Sequence, residues 1–278
     1  TTASDGQYSP SQLVEKAASK GISVLAITDH DTVAGLKEGE EAARRFGITF
    51  VPGIEFNIER PNCEFHLLGL GLYDVSKSLI EASDFLAKSR AKRNLEMIEK
   101  LNSDGYSVSI EELQSEFPTK SLGRPHIAKW LEKKGIVKNV QQAFDKYLGR
   151  GRPWYVERTG INLDVAIQAI YDSGGVPVVA HPLSLYLSWT KLEPVMEDFK
   201  SRGVAGMECF HPGARVTECL RLEEMARKLG MIVTAGSDFH GEKIRSDRRP
   251  GHTCGDKKIE DRFWFEELKP ALEKGQSE

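Results

Sequence analysis

Hydrophobic and polar positions follow one another along this chain in blocks that predict a repeating order of helix and strand. The first block opens at Ser9-Pro10-Ser11-Gln12, which combines an N-cap serine, a proline at the first helical position and a capping-box glutamine. Leu13, Val14, Ala17 and Ala18 then recur at helical spacing, and Gly21 is placed to end the helix. The short apolar run Ile22–Thr28 predicts a buried strand, ending at Asp29-His30-Asp31. The cycle repeats with a helix over 33–46, capped by Asp31 and stopped by Gly47, and with strands over 48–56 and 65–73. Further on come a helix over 163–173, a strand VPVVA before His181 and a strand over 204–210 before His211. A helix over 216–229, closed by Gly230, leads to a last strand, MIVTAG, before Ser237-Asp238-Phe239-His240. Strands and helices in this order predict a parallel sheet or barrel of the α/β class.

The stretch 76–155 breaks the rhythm. It shows helical periodicity without a strand pattern, so it reads as a small helical insertion domain within a barrel domain formed by 1–75 and 156–278. The Gly/Pro-rich segment Gly149–Pro153 serves as the return hinge.

One regularity runs through the barrel segments: nearly every predicted strand is followed at once by His, Asp or Glu. Polar groups collected at the carboxyl ends of parallel strands make the active face of a barrel enzyme. The candidate metal ligands are Asp5, His30, Glu55, His66, His181, Asp238 and His240. Singly, each has a structural alternative: Asp5 as a turn residue, His66 as a core histidine, Glu55 as a surface charge. Asp238 and His240, spaced i and i+2, would share one face of a strand. All seven are nitrogen or oxygen donors, which suits Mn²⁺, Fe²⁺ or Zn²⁺ in a catalytic cluster rather than a closed structural zinc site. His211 follows a strand and is placed to contact a phosphate or protonate a leaving oxygen. Arg124 and His126, in the insertion, are candidate substrate contacts, with a helix N-terminal turn as the structural alternative. Lys88, Arg90, Lys92 and Arg93 fall on a helix and read as a solvated face.

Charge changes this picture locally rather than globally. The net charge is -3, which argues against a protein that coats nucleic acid. Residues 76–155 nevertheless hold 15 Lys/Arg against 10 Asp/Glu, while the remainder holds 23 against 31. An acidic body with a basic insertion suits a metal site combined with an anionic substrate. Mean hydropathy is -0.39, and no apolar run is long enough to span a bilayer. The four cysteines show no paired spacing, which predicts free thiols and a cytoplasmic location.

The segments SDGQYSPSQLVEKAASKGISVLAITDHDTVAG, VPGIEFN, HLLGLG, VVAHP and GSDFH, taken in order, closely resemble the PHP (polymerase and histidinol phosphatase) family. GRPHIAKWLEKKGIVKNVQQAFDKYLGRGRPWYV resembles the insertion of the branch that holds 3′,5′-nucleoside bisphosphate phosphatases and 5′→3′ exoribonucleases. The resemblance implies a distorted (β/α)₇ barrel with up to three divalent metal ions, usually Mn²⁺, bound by the seven residues above. It also places a first strand and an Asp-x-His-x-His motif ahead of Thr1, outside this sequence. The implied activity is release of phosphate from nucleoside 3′,5′-bisphosphates, or 5′→3′ degradation of short RNA, by a metal-bridging hydroxide. The substrate is thus a small nucleotide or short RNA, with no membrane and no stable protein partner implied. The alternatives are a small-molecule phosphatase of the histidinol-phosphate type and a catalytically silent nucleotide- or RNA-binding module.

Overall fold

The computed structural model describes residues 1–61, 63, 65–117 and 122–275. It divides into two compact units, one made of 1–83 with 160–278 and the other of 84–159. The first division falls inside an unbroken helix, α3 (Lys77–Ser103), where the local pattern carries no boundary signal.

The larger unit is built on a six-stranded curled sheet. Its strands β1 (Val24–Ile27), β2 (Thr49–Asn57), β3 (His66–Leu70), β4 (Val176–Val179), β5 (Gly206–Phe210) and β6 (Ile232–Ala235) lie side by side in chain order. The pairs β1–β2, β4–β5 and β5–β6 are parallel, as the alternation of strand and helix predicts. Strand β3 departs from that expectation and runs antiparallel to both neighbours. Among the described residues no helix intervenes between β2 and β3, and the connection 58–65 is too short for the crossover that a parallel pair requires. The two edges, β1 and β6, do not pair, and a cavity of about 640 Å³ lies against both.

Helices cover the sheet. Helix α1 (Pro10–Ser19) begins as predicted, with the Ser9 hydroxyl accepting from the Gln12 N–H and the Gln12 side chain accepting from the Ser9 N–H. It packs with α2 (Leu36–Phe46) around Val14, Ala17, Ile27, Ala42 and Ala43. Helix α2 starts three residues later than the pattern suggests. Asp31 is not its cap: the residue has a left-handed backbone (φ 57) and its carboxylate accepts from the Asn57 N–H at 2.9 Å, tying the end of β1 to β2. Helices α7 (Leu163–Asp172), α8 (Trp189–Ser201) and α9 (Val216–Lys228) precede β4, β5 and β6 in turn, and α10 (Lys269–Gly275) comes after the sheet. Leu68, Leu70, Val176 and Val178 of the sheet bury themselves against Leu268 and Leu272.

The smaller unit holds helices joined by turns and contains no strand among its described residues. It contains most of α3, with α4 (Ile110–Glu116), α5 (Arg124–Lys133) and α6 (Val140–Ala143). Its core of Met97, Leu101, Leu113, Ile127, Trp130, Leu131, Leu148 and Trp154 is its own. Both buried indoles satisfy their N–H groups locally, Trp130 on Glu112 at 3.0 Å and Trp154 on Asp104 at 2.6 Å. Among the described residues no helix is long and apolar enough to cross a membrane.

Candidate metal centre

The strand ends of the larger unit gather five of the seven histidines of the chain. The rings of His240, His30, His66, His181 and His211 form a continuous row, with neighbouring centroids 5.1–6.1 Å apart. His30 follows β1 and bridges to Glu55 of β2; His181 follows β4 and His211 follows β5. His66 arrives differently. It opens β3, and because β3 runs antiparallel its amino end lies beside the carboxyl ends of the other strands.

Glu55 is buried at the centre of this row. Its Oε1 lies 2.9 Å from His66 Nδ1 and 3.0 Å from His181 Nε2, and those nitrogens are 3.2 Å apart. Its Oε2 lies 3.4 Å from His30 Nδ1. Two imidazole nitrogens so close cannot both carry protons without opposing like charges, so the arrangement aims lone pairs at one point. Such convergence fits a bound cation. The tautomers agree. His240 donates its Nδ1–H to the Asp238 carbonyl at 2.9 Å, which leaves its Nε2 as an electron-pair donor, and His181 Nδ1 is held by Ser184 Oγ at 2.9 Å.

Two donor groups stand out, both using His30: Asp5, His30 and His240, and His30, Glu55 and His66. His181 joins the second through Glu55, and Asp238 joins the first through His240, 3.5 Å away. All seven sequence-predicted ligands therefore lie in one neighbourhood. The route differs from the expectation for Asp238 and His240, which do not sit on a strand. Strand β6 ends at Ala235, and the two side chains are brought together by a left-handed turn at Asp238 (φ 47).

The electrostatics match a site prepared for positive charge. Burial alone would raise the Glu55 carboxyl, but His30, His66 and His181 hold it well below the usual carboxylate range. Burial likewise opposes charge on His181, yet Glu55, and after it Glu208 and Asp238, lift it to about 9. Asp238 is also penalised by burial, and the His211 hydrogen bond and the nearby His240 bring it down to about 2.

His211 plays another part. Its Nδ1 accepts the Gly213 N–H at 3.0 Å, so its Nε2 carries the proton, directed at Asp238 Oδ2 3.3 Å away. It lies at the edge of a cavity of about 280 Å³, shared with His66, His181 and Asp238. Arg124 and His126 belong to the helical unit. There the His126 Nδ1 accepts the Gly123 N–H at 3.1 Å and closes the first turn of α5.

Three contributors escaped the sequence reading. Glu208, buried in β5, accepts the His181 N–H at 2.9 Å and so supports the left-handed backbone of that ligand (φ 27). A charge in the middle of the apolar run VAGMECF was a signal for it. Ser184 orients His181, and Arg245 pairs with Asp238 at 2.7 Å; neither carried a sequence signal.

Comparison with known proteins gives the same direction. The model of the PHP domain matches residues 1–148. A 5′-3′ exoribonuclease from Haemophilus influenzae is 32% identical over 86% of this chain and 87% of its own length. A 3′,5′-nucleoside bisphosphate phosphatase from Chromobacterium violaceum is 30% identical over 90% of this chain and 88% of its own. A solved structure from Bifidobacterium adolescentis, assigned as a metal-dependent phosphoesterase, superposes with a TM-score of 0.80 at 28% identity, covering 97% of this chain and 93% of the other.

Proposed function

The chain belongs to the PHP domain family, and from that premise we propose that it is a metal-dependent phosphoesterase acting on nucleotides. Its substrates are nucleoside 3′,5′-bisphosphates, as in the name of one relative, and short RNA degraded in the 5′→3′ direction, the direction that another relative's name gives. The observation that carries the reading is the convergence of His66 and His181 on one Glu55 oxygen, at 2.9 and 3.0 Å.

Asp5, His30, Glu55, His66, His181, Asp238 and His240 would hold divalent cations, and their nitrogen and oxygen donors suit Mn²⁺, Fe²⁺ or Zn²⁺, of which Mn²⁺ is the ion we assign. When bound, such cations neutralise phosphoryl oxygens and lower the pKa of water, the chemistry that attack at phosphorus requires. The other duties fall to the protein. Glu208 and Ser184 fix the backbone and ring of His181. Asp238 orients His211, whose Nε2 proton is presented to a phosphoryl oxygen or to the departing alkoxide. Arg245, beside Asp238, draws the anionic group toward the small cavity. In the helical unit Arg124 offers a planar guanidinium to the nucleotide, and His126 fixes the turn that presents it.

The test is product analysis with Mn²⁺-loaded protein on adenosine 3′,5′-bisphosphate and on a 5′-phosphorylated oligoribonucleotide. Release of inorganic phosphate from the first, or of mononucleotides from the 5′ end of the second, is the expected result. Inertness toward both, in protein shown to carry metal, would overturn the proposal.

A further inference from the structure

One aromatic residue stands beside the metal centre without being one of its candidate donors. Tyr186 is 72% exposed, the highest value of any large hydrophobic residue described, and it lines the cavity of about 280 Å³ that His66, His181, His211 and Asp238 share. Exposure alone would be ordinary for a single surface residue. The backbone beneath the ring is not ordinary. Tyr186 has φ 53 and ψ 34, the left-handed region in which a Cβ is disfavoured and glycine or asparagine is the usual occupant. Strain of this kind persists where neighbouring structure over-determines it, and it collects at functional sites.

The neighbouring structure does fix it. The Tyr186 N–H donates to the Leu183 carbonyl at 3.1 Å, and the Ser184 N–H donates to the His181 carbonyl at 2.9 Å. A single turn of 3₁₀ helix, Pro182–Leu185, thus joins two left-handed residues, His181 (φ 27) and Tyr186. Pro182 and Leu185 are buried and anchor the turn in the fold. The turn therefore sets Tyr186 at a fixed place relative to a candidate metal ligand, and the Ser184 side chain within it also holds that ligand's ring.

The rest of the cavity suits a flat apolar group that carries a negative charge. Pro182, Leu183, Ala214 and Leu222 supply apolar wall, and Arg245 supplies a guanidinium. Gly213 keeps room beside His211, since a Cβ there would lie 3.0 Å from the imidazole. An aromatic ring next to fixed positive charge is how single nucleotides are gripped without reading their sequence, because every base offers a π-face.

We propose that Tyr186 is the platform on which a nucleobase of the substrate stacks while the phosphate lies at the metal centre. The proposal rests on the phosphoesterase reading and deepens it: the site selects phosphate esters that bear an aromatic base and tolerates any of the bases.

The test uses the full chain loaded with Mn²⁺ and compares two ligands by calorimetry, adenosine 5′-monophosphate and the base-free ribose 5-phosphate. The wild type is expected to bind the nucleotide about tenfold or more tightly than the sugar phosphate. Tyr186→Ala should collapse that ratio toward one, whereas Tyr186→Phe and Tyr186→Trp should keep it. Tyr186→Gly suits the left-handed backbone, so it stays folded where the alanine variant fails, and it too should lose the ratio. A wild type that binds both ligands equally, or folded alanine and glycine variants that keep the wild-type ratio, would sink the proposal. In turnover, Tyr186→Ala should raise KM for adenosine 3′,5′-bisphosphate about tenfold more than for ribose 3,5-bisphosphate, and equal effects on the two would count against the platform. Should the protein hydrolyse neither bisphosphate, the phosphoesterase reading falls, and the binding ratio alone upholds or overturns the platform.

Discussion

The two units of this chain bury charge in opposite senses. The barrel unit sets three carboxylates, Glu55, Glu208 and Asp238, among five imidazoles, two of which, His66 and His181, converge on one Glu55 oxygen. The helical unit buries a guanidinium beside a second arginine. The first arrangement gathers donor groups that could hold cations, and the second offers none of that kind among its described residues. The units also differ in how they are assembled. The barrel site draws on residues from Asp5 to His240, so it exists only when distant strands are in register. The helical core spans Met97 to Trp154 and closes on itself. Long-range assembly suits a site needing many ligands from different directions, whereas local packing suffices to present a few fixed charges.

The largest effect should come from the cation side. Chelation of the purified protein is expected to reduce phosphoester hydrolysis by on the order of 10³-fold or more, because several kcal/mol of transition-state stabilisation is lost. Mn²⁺ should restore it, which a simple add-back assay reads. Glu55→Gln keeps the shape of the side chain but removes the charge shared by His30, His66 and His181. It should cost about 100-fold in activity and lower the metal content measured by mass spectrometry.

The independence of the units is tested next. Leu131 is fully buried in the helical core, and Leu131→Ala should destabilise that unit by roughly 3 kcal/mol. Metal binding by the barrel unit should survive, and denaturant unfolding should separate into two transitions. A single shifted transition together with loss of metal would mean that the units fold as one. A smaller effect is expected at Ser184, whose hydroxyl orients His181. Ser184→Ala should weaken metal binding by roughly 10-fold, measured by competition with a chromophoric chelator.

The subtlest prediction concerns protons. His181 has its pKa lifted to about 9 in the metal-free protein, above its ordinary value of 6.5. Below about pH 9 a metal must displace that proton, so affinity should rise with pH up to about 9 and level off beyond. At pH 7 uptake should release close to one proton from this residue, seen as a buffer-dependent calorimetric enthalpy. For the metal-free fold the sign is reversed. A raised pKa stabilises fully below about 6.5, and that contribution fades as pH climbs through about 9.

Much of this was legible in the chain itself, because it depends on local periodicity and on residue chemistry. The Ser9-Gln12 capping box starts α1 where the sequence places it, and Gly47 ends α2 in a left-handed turn. The repetition of His, Asp and Glu after apolar runs marked the side chains that the structure brings into one neighbourhood. Other points depend on what lies across space. The antiparallel course of β3 follows from a short connection, and it brings His66 to the face that the other strands reach with their opposite ends. Asp238 and His240 meet through a left-handed turn where strand alternation was expected. The work of Asp31 is done on Asn57, 26 residues away, and not on the helix that follows it. Arg93 looked solvated because a charge in a basic run ordinarily is; its burial is set by which face of α3 meets the helical core.

The sequence by itself determined the element order, the helical character of the middle segment and the chemistry of the side chains gathered at the strand ends. These are properties of short windows and of side-chain chemistry. Strand direction, the pairing of tautomers around Glu55 and the burial of Arg93 were decided only by the tertiary structure. Each depends on contacts between residues far apart in the chain, and no local pattern records where a strand or a helix face will find its partner.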